Sequence, residues 1–391
     1  MTLKERIRML FPVVLALPLC ELVDASIQML PQRRSPLQDN RKRLLIVRLD
    51  VIGDFIVFLD SFKEYRKLFP PDQWEITLLG NKVWSGVAEQ LPYADRYVFM
   101  ETRKFVMNPG YRFRILKDIR NYCFDHVIEP TYSRSALSGD SVVRASGAPV
   151  RTGSTGNLSN MLGCQKRRAD RWYTRLVPAS DVSLNELARN AEFLRGLGLD
   201  TFVPSTPRYP HDVLTDRSTL IEFGIAKPYF VIFPGASVQG RQWPVERFAE
   251  IARRLFIQTQ WTPVLCGGPR DLPIARRVAT LAPELPWVFC AGITTLLQMM
   301  SVLAEARMLI ANETGVVHMA AAVECPTVCI MGGGHFGRFY PYGGVRYRIA
   351  YKPMDCFGCD WWCRYPTVRC ISEITIDDVW KEVSSLSEET S

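Results

Sequence analysis

Four short stretches carry residue types that can act on a phosphorylated, hydroxyl-bearing ligand. The first is D-V-I-G-D, residues 50–54, where Asp54 follows Gly53 just after an apolar run. A glycine lets a ligand approach the backbone closely, and a carboxylate beside it can serve as a general base toward a hydroxyl group. An aspartate at a strand-to-helix junction can equally be a helix N-cap. The second is P-G-A-S-V-Q-G-R-Q-W-P, residues 234–244. Its small residues, Gly235, Ala236 and Ser237, leave room for a phosphate, and Arg241 adds a permanent positive charge. The third is C-G-G-P-R-D, residues 266–271, in which Asp271 could accept ribose hydroxyls as acids do in nucleotide-binding folds. The fourth is N-E-T-G-V-V-H-M-A-A-A, residues 312–322. It places Glu313, Thr314, Gly315 and His318, one of only four histidines, where an apolar strand passes into Ala-rich helix. A helix start offers free N–H groups and positive potential to a phosphate. The structural alternative is a turn capped by its own side chains, with His318 as a packing residue.

A fifth feature is Cys356, Cys359, Cys363 and Cys370, spaced C-x2-C-x3-C-x6-C. Four thiolates at such spacing can enclose a tetrahedral metal, zinc or iron; disulfide or redox pairs and plain reduced thiols remain alternatives. Trp361 and Trp362 lie inside this segment and could mark an acceptor or membrane contact, or a small satellite core. The other seven of the eleven cysteines are scattered, several in apolar runs, as expected of buried thiols in a reducing compartment.

The elements that must position these residues alternate between strand and helix. At 391 residues the chain is long enough for two domains. From Arg43, buried strands are predicted at 44–49, 75–79, 97–100 and 126–129, with helices between them at 55–68, 82–90 and 111–122. The pattern loosens between Gly153 and Pro210, with a helix predicted over 180–197 behind an Asp or Ser cap. A second run follows, with strands at 229–233, 263–266, 287–290, 308–311 and 327–331. Alternation of this kind makes doubly wound parallel sheets, and two such halves joined by a Pro-rich hinge leave a cleft for a two-substrate reaction. The expected division is a linker and arm over 1–40, one Rossmann-like domain over 41–205 and a second over 206–391 that carries the Cys-rich segment 356–370.

Residues 1–40 combine Lys4, Arg6 and Arg8 with an apolar run over 9–19 that holds Pro12 and Pro18. That run is too short to span a bilayer, which takes about 20 residues as a helix. The preferred reading is an interfacial anchor with basic flanks, and the alternative is a packing arm. A net charge of +8 suits a phosphate-bearing substrate or an anionic membrane. With no nucleic-acid-binding motif and no dense Lys/Arg block, no nucleic-acid partner is expected.

Taken in order, R-L-D-V-I-G-D, P-G-A-S-x-x-x-R-x-W-P-x-E-R-F, G-G-P-R-D and N-E-T-G-V-V-H-M-A-A-A resemble the heptosyltransferase family of bacterial glycosyltransferases, family nine. The resemblance runs roughly from Arg43 to Val383. It implies a GT-B fold, two Rossmann-like α/β domains facing a cleft, and inverting transfer of a heptose or related sugar from a nucleotide sugar such as an ADP-sugar, with no metal required. It also implies Asp54 as the base, Arg241 on the donor phosphates, and Glu313, Thr314, Gly315 and His318 in donor binding. The acceptor would be lipopolysaccharide core or another lipid-linked or surface glycan, reached from the cytoplasm at the inner face of the membrane. Rival readings are a non-catalytic nucleotide-sugar binding protein, a nucleotide-sugar epimerase and an autotransporter protein heptosyltransferase. The sequence departs from the family twice: Glu313 stands where aspartate is usual, and Gly332-Gly333-Gly334-His335 replaces a common G-P-T.

Overall fold

The computed structural model describes residues 18–32, 40–214, 218–341 and 346–390. The chain divides into two compact units, one ending at Ser205 and the other spanning Thr206–Ser391. Each unit is built on one six-stranded sheet, and every strand pairing in both is parallel.

In the first unit the strands are β1 (Lys42–Arg48), β2 (Trp74–Asn81), β3 (Arg96–Met100), β4 (His126–Glu129), β5 (Val150–Ser154) and β6 (Arg175–Val177). They lie in the order β3-β2-β1-β4-β5-β6. β1 is buried from Arg43 to Arg48, as a central strand covered by helices on both faces must be. The second unit has β7 (Tyr229–Phe233), β8 (Thr262–Leu265), β9 (Val288–Phe289), β10 (Met308–Asn312), β11 (Thr327–Met331) and β12 (Tyr347–Tyr351), in the order β12-β11-β10-β7-β8-β9. Chain direction across the sheet reverses between β1 and β4 and again between β7 and β10. At such a reversal the flanking helices diverge to opposite faces, and a crevice opens beyond the strands' carboxyl ends.

Three strands have no counterpart in the sequence pattern. β5 (V-R-T-G-S) and β6 (R-L-V) are short and partly polar, and β12 closes the outer edge of its sheet. Gly153 in β5 is required by packing, since a Cβ there would lie 2.4 Å from the Tyr173 ring. The helix predicted from residue 180 begins at Glu186, capped by Asn185, whose side chain accepts the Ala188 N–H at 2.9 Å. The stretch 82–90 forms only a 3-10 turn and the short helix Ser85–Ala88.

The N-terminal segment is described from residue 18 onward, and residues 9–17 of the apolar run expected to anchor the chain lie outside the described residues. Residues 18–28 are helical, and the segment 18–32 packs on the first unit. Asp24 accepts two hydrogen bonds from the Arg112 guanidinium, at 2.6 and 2.7 Å, and one from the Ser141 hydroxyl at 2.5 Å, all in a buried setting. Ile27 is fully buried in the core that contains Leu45, Val127 and Val142. The Gln28 and Gln32 amides donate to the Arg144 and Ser146 carbonyls. An apolar residue and a paired acid at helical spacing made this a packing element. The basic residues Lys4, Arg6 and Arg8 lie outside the described residues.

Removing one partner of a buried ion pair leaves the other charge desolvated and uncompensated, at a cost of about 3–5 kcal/mol. Asp24→Ala is therefore expected to lower unfolding stability by about that amount, read as the shift of a urea denaturation curve. An unchanged midpoint would show that the segment is not integral to the first unit.

Candidate functional site

At the reversal point of the second sheet, the loop after β7 meets the loop after β10. Asn312, the last residue of β10, is fully buried. Its Nδ2 donates to the Pro234 carbonyl at 2.8 Å and its Oδ1 accepts the Trp243 N–H at 3.1 Å. One carboxamide thus fixes both ends of the loop that carries Ser237 and Arg241. Sequence reasoning gave Asn312 no role, although an asparagine ending a buried apolar strand was the available signal. Asp271 braces the same loop from the other side. Its Oδ2 accepts the Gly268 N–H at 2.9 Å, and its carboxyl lies so close to Gly235 that a Cβ there would be 2.2 Å from Cγ. Ser237 is exposed on this loop.

Arg241 is partly buried, its guanidinium carbon 4.4 Å from the Trp361 ring centroid. Its Nη2 lies 3.3 Å from His335 Nδ1, and His335 Nε2 lies 2.6 Å from Asp360 Oδ1. An arginine can only donate, so Nδ1 is the acceptor and Nε2–H donates to Asp360, which makes the imidazole neutral. Its pKa accordingly lies below the usual histidine value; burial is the largest cause, and Arg241 adds to it against the opposing pull of Asp360. His335, Asp360 and Trp361 were not among the residues assigned to the site from sequence. Asp360 and Trp361 adopt left-handed backbone, φ 49° and 62°, which turns the indole onto Arg241. The glycine run makes this possible: a Cβ on Gly334 would lie 2.4 Å from the Trp361 ring, and one on Gly333 would lie 2.1 Å from Phe357. The departure at Gly332–Gly334 is thus where the Cys-rich segment packs.

Glu313 is 5% exposed and its pKa is pushed up to about 7 by burial, with Arg241 pulling the other way. Glu313 Oε2, Thr314 Oγ1 and Arg241 Nε are buried without a hydrogen-bond partner in the protein. Each such orphan costs about 1–3 kcal/mol, so three in one place mark a surface made to be completed by a ligand. Thr314 is the N-cap residue of the helix Gly315–Ala322, yet its hydroxyl makes no cap bond, which leaves the hydroxyl and helix start together. An acceptor (Glu313), a donor-acceptor (Thr314), a cation and a helix N-terminus suit a ligand with both hydroxyl and phosphate groups. His318 lies deeper, 4% exposed, with its ring 6.2 Å from and edge-on to Tyr340; burial lowers its pKa to about 4. It supports the helix as a packing residue.

In the first unit, Val51 is the N-cap of the helix Ile52–Phe62, so Asp54 is not the N-cap residue itself. Asp54 lies in the first turn, partly buried. Asp50, at the start of the same loop, pairs with the buried Arg48 at 2.7 Å.

The thiols of Cys356, Cys359, Cys363 and Cys370 line one cavity of about 20 Å³, together with Gly240 and Gly333. All eleven cysteines are unpaired. Among the described residues no group of three or more His, Cys, Asp or Glu side chains is arranged to hold a metal ion. The four cysteines thus line one cavity without being arranged as a metal ligand sphere among the described residues. Cys370 Sγ accepts the Gly333 N–H at 3.4 Å, which ties the segment to the glycine run.

The family model described as glycosyltransferase family 9 (heptosyltransferase) matches residues 112–357. Lipopolysaccharide heptosyltransferase 1 of Pseudomonas aeruginosa is 25% identical over 326 residues, 81% of this chain and 86% of that protein. Among solved structures, the family 9 glycosyl transferase of Veillonella parvula superposes with a TM-score of 0.70 at 18% identity, over 89% of this chain and 97% of that one. The E. coli heptosyltransferase WaaC with ADP-2-deoxy-2-fluoro heptose gives a TM-score of 0.63 at 17% identity, over 88% and 99%. These likenesses establish the fold of the two parallel-sheet units as GT-B.

Asn312→Ala would strand the Pro234 carbonyl and the Trp243 N–H at once, each at about 1–3 kcal/mol. The expected outcome is a thermal unfolding midpoint lowered by several degrees together with weakened ligand binding. Unchanged unfolding and binding would show that Asn312 does not hold the loop.

Proposed function

Because the chain belongs to glycosyltransferase family 9, we propose that it transfers a heptose or related sugar, with inversion, from an ADP-sugar to a lipopolysaccharide-type acceptor. The observation that carries this reading is the set of orphaned polar atoms on Glu313, Thr314 and Arg241 beside a free helix start. Thr314 Oγ1 and the helix N–H groups receive the diphosphate, Arg241 balances the charge that builds on it as the sugar departs, and Glu313 takes hydroxyls of the donor. Those fixed charges supply what a divalent cation supplies in other transferases. Asp54 removes the proton from the attacking acceptor hydroxyl as the anomeric carbon gains oxocarbenium character. Ser237 and Gly315 contribute close-approach backbone to the phosphates, and Asp271 holds the loop that presents them. His318 acts in donor binding by supporting the helix from behind.

The proposed setting is the cytoplasmic face of the membrane, with peripheral attachment. Among the described residues no helix is long and apolar enough to cross a bilayer. Leu19, Leu22 and Met29 on the N-terminal segment are exposed, which supports surface contact with lipid.

Asp54→Asn is expected to leave ADP-heptose binding within about twofold while cutting transfer by about 10²–10⁴-fold, the usual contribution of a general base. Undiminished transfer, followed by ADP release with acceptor present, would sink the base assignment.

Donor affinity should depend on pH through Glu313. Its folded pKa is raised to about 7, so it is protonated below that value and ionised above it. A bound diphosphate adds negative charge nearby and favours the protonated form. Affinity for an ADP-sugar, whose own charge is constant in this range, should fall as pH rises through about 7, by up to about tenfold per unit. Glu313→Gln should flatten the dependence, and calorimetry on either side of neutrality reads it. A profile shared by the variant would assign the effect to another group.

A further inference from the structure

The reversal point of the first sheet holds a cavity of about 330 Å³ at the carboxyl ends of β1 and β4. Its wall includes Asp50, Glu129, Thr131, Ser135, Ser138 and Asn160, and no lysine or arginine among the described residues lines it. The two arginines closest in sequence to this wall are already committed. Arg48 pairs with Asp50 at 2.7 Å, and the buried Arg134 pairs with Asp140 at 3.2 Å and with Asp170.

Glu129 is buried, and its protonation follows from its neighbours. The Tyr173 hydroxyl is within hydrogen-bond reach of both Glu129 Oε2 and Asp140 Oδ1, the latter at 2.5 Å. A phenol has one proton to give, so one of the two carboxyls must carry its own. The Arg134 guanidinium stabilises negative charge on Asp140, which leaves the proton on Glu129. Burial and the adjacent Asp140 push Glu129 well above the usual carboxylate range in the same sense. Glu129 then donates through Oε2 to Tyr173 and keeps its second oxygen as a neutral acceptor. That oxygen occupies space left by Gly139, where a Cβ would come 1.9 Å from Oε1.

We propose that this cavity seats an uncharged, polyhydroxylated ring of the acceptor and rejects a ring that carries a carboxylate or phosphate at that point. Hydroxyl and amide side chains together with a neutral carboxyl match sugar hydroxyls in both donor and acceptor sense. An anion placed here would lose its hydration and meet no uncommitted cation on the wall, since Arg48 and Asp50 already neutralise each other. The proposal rests on the transferase reading, to which it adds the chemistry of the acceptor.

The test uses the full chain and two probes that share one ring, octyl glucoside and octyl glucuronide, the second with a carboxylate. Binding is followed by saturation-transfer NMR at neutral pH, with ADP-heptose binding measured on the same preparation. The glucoside is expected to bind about tenfold or more tightly than the glucuronide, a difference of about 1.4 kcal/mol. Ser138→Leu, which fills the cavity, should abolish glucoside binding while ADP-heptose binding and the unfolding midpoint stay at their original values. Glu129→Gln, neutral and of the same shape, should keep the preference for the uncharged ring. Equal or tighter binding of the glucuronide, no binding of either probe, or glucoside binding untouched by Ser138→Leu would each overturn the proposal. Intact ADP-heptose binding in those cases confines the failure to the cavity; absent ADP-heptose binding is instead the failure of the transferase reading.

Discussion

The second unit depends on what one buried carboxamide can do that no other side chain of its size can. Asn312 must give a hydrogen bond to the Pro234 carbonyl and take one from the Trp243 N–H, 69 residues away in sequence. An aspartate could not donate and a leucine could do neither, so the two ends of the loop would be left unsatisfied. With the ends fixed, Asp271 presses against Gly235 and Arg241 has a single place to go. The same strand then delivers Glu313 and Thr314 from its next two positions. Loop, cation, acid and hydroxyl are therefore positioned by one strand end, which is why the reversal point of the sheet is also the candidate site.

Both units use that topological device, with opposite chemistry. In the second unit the strand ends gather a guanidinium, an uncapped helix start and orphaned polar atoms, a setting for phosphate. In the first they gather hydroxyls, an amide and two carboxyls, with the neighbouring arginines spent on acids. The +8 net charge of the chain says nothing of this division, because what matters is which charges are already paired.

How much of this was legible in the sequence follows from how local each cause is. Central strands such as β1 and β10 show as unbroken apolar runs because both faces are covered. β5, β6 and β12 lie toward the sheet margins, are short and carry polar residues, so periodicity had nothing to detect. The junctions that carry Asp54, Arg241, Glu313 and Thr314 were legible because a strand-loop-helix junction announces itself locally. His335, Asp360 and Trp361 were not, because their place beside Arg241 depends on glycine contacts and a left-handed turn that no spacing rule encodes. For His318, helical spacing places it one turn into the helix, while its burial and edge-on contact with Tyr340 depend on residues distant in sequence. The packing of the segment 18–32 was not legible because it turns on Asp24, whose partner Arg112 lies 88 residues on.

Glu313 and Arg241 show why burial serves the site instead of cancelling it. Two opposite charges in a dry place would ordinarily pair and spend their attraction on each other. Here Arg241 hydrogen-bonds the neutral His335 and lies over Trp361, while Glu313, carrying one methylene more than aspartate, is raised toward neutrality by burial. The guanidinium thus keeps its charge without a carboxylate bound to it, in surroundings where a charge acts more strongly than in water. An incoming anion can use that charge in full, and the acid beside it can yield by taking up a proton. The Cys-rich segment belongs to the same arrangement, since it delivers the indole that holds Arg241 in place.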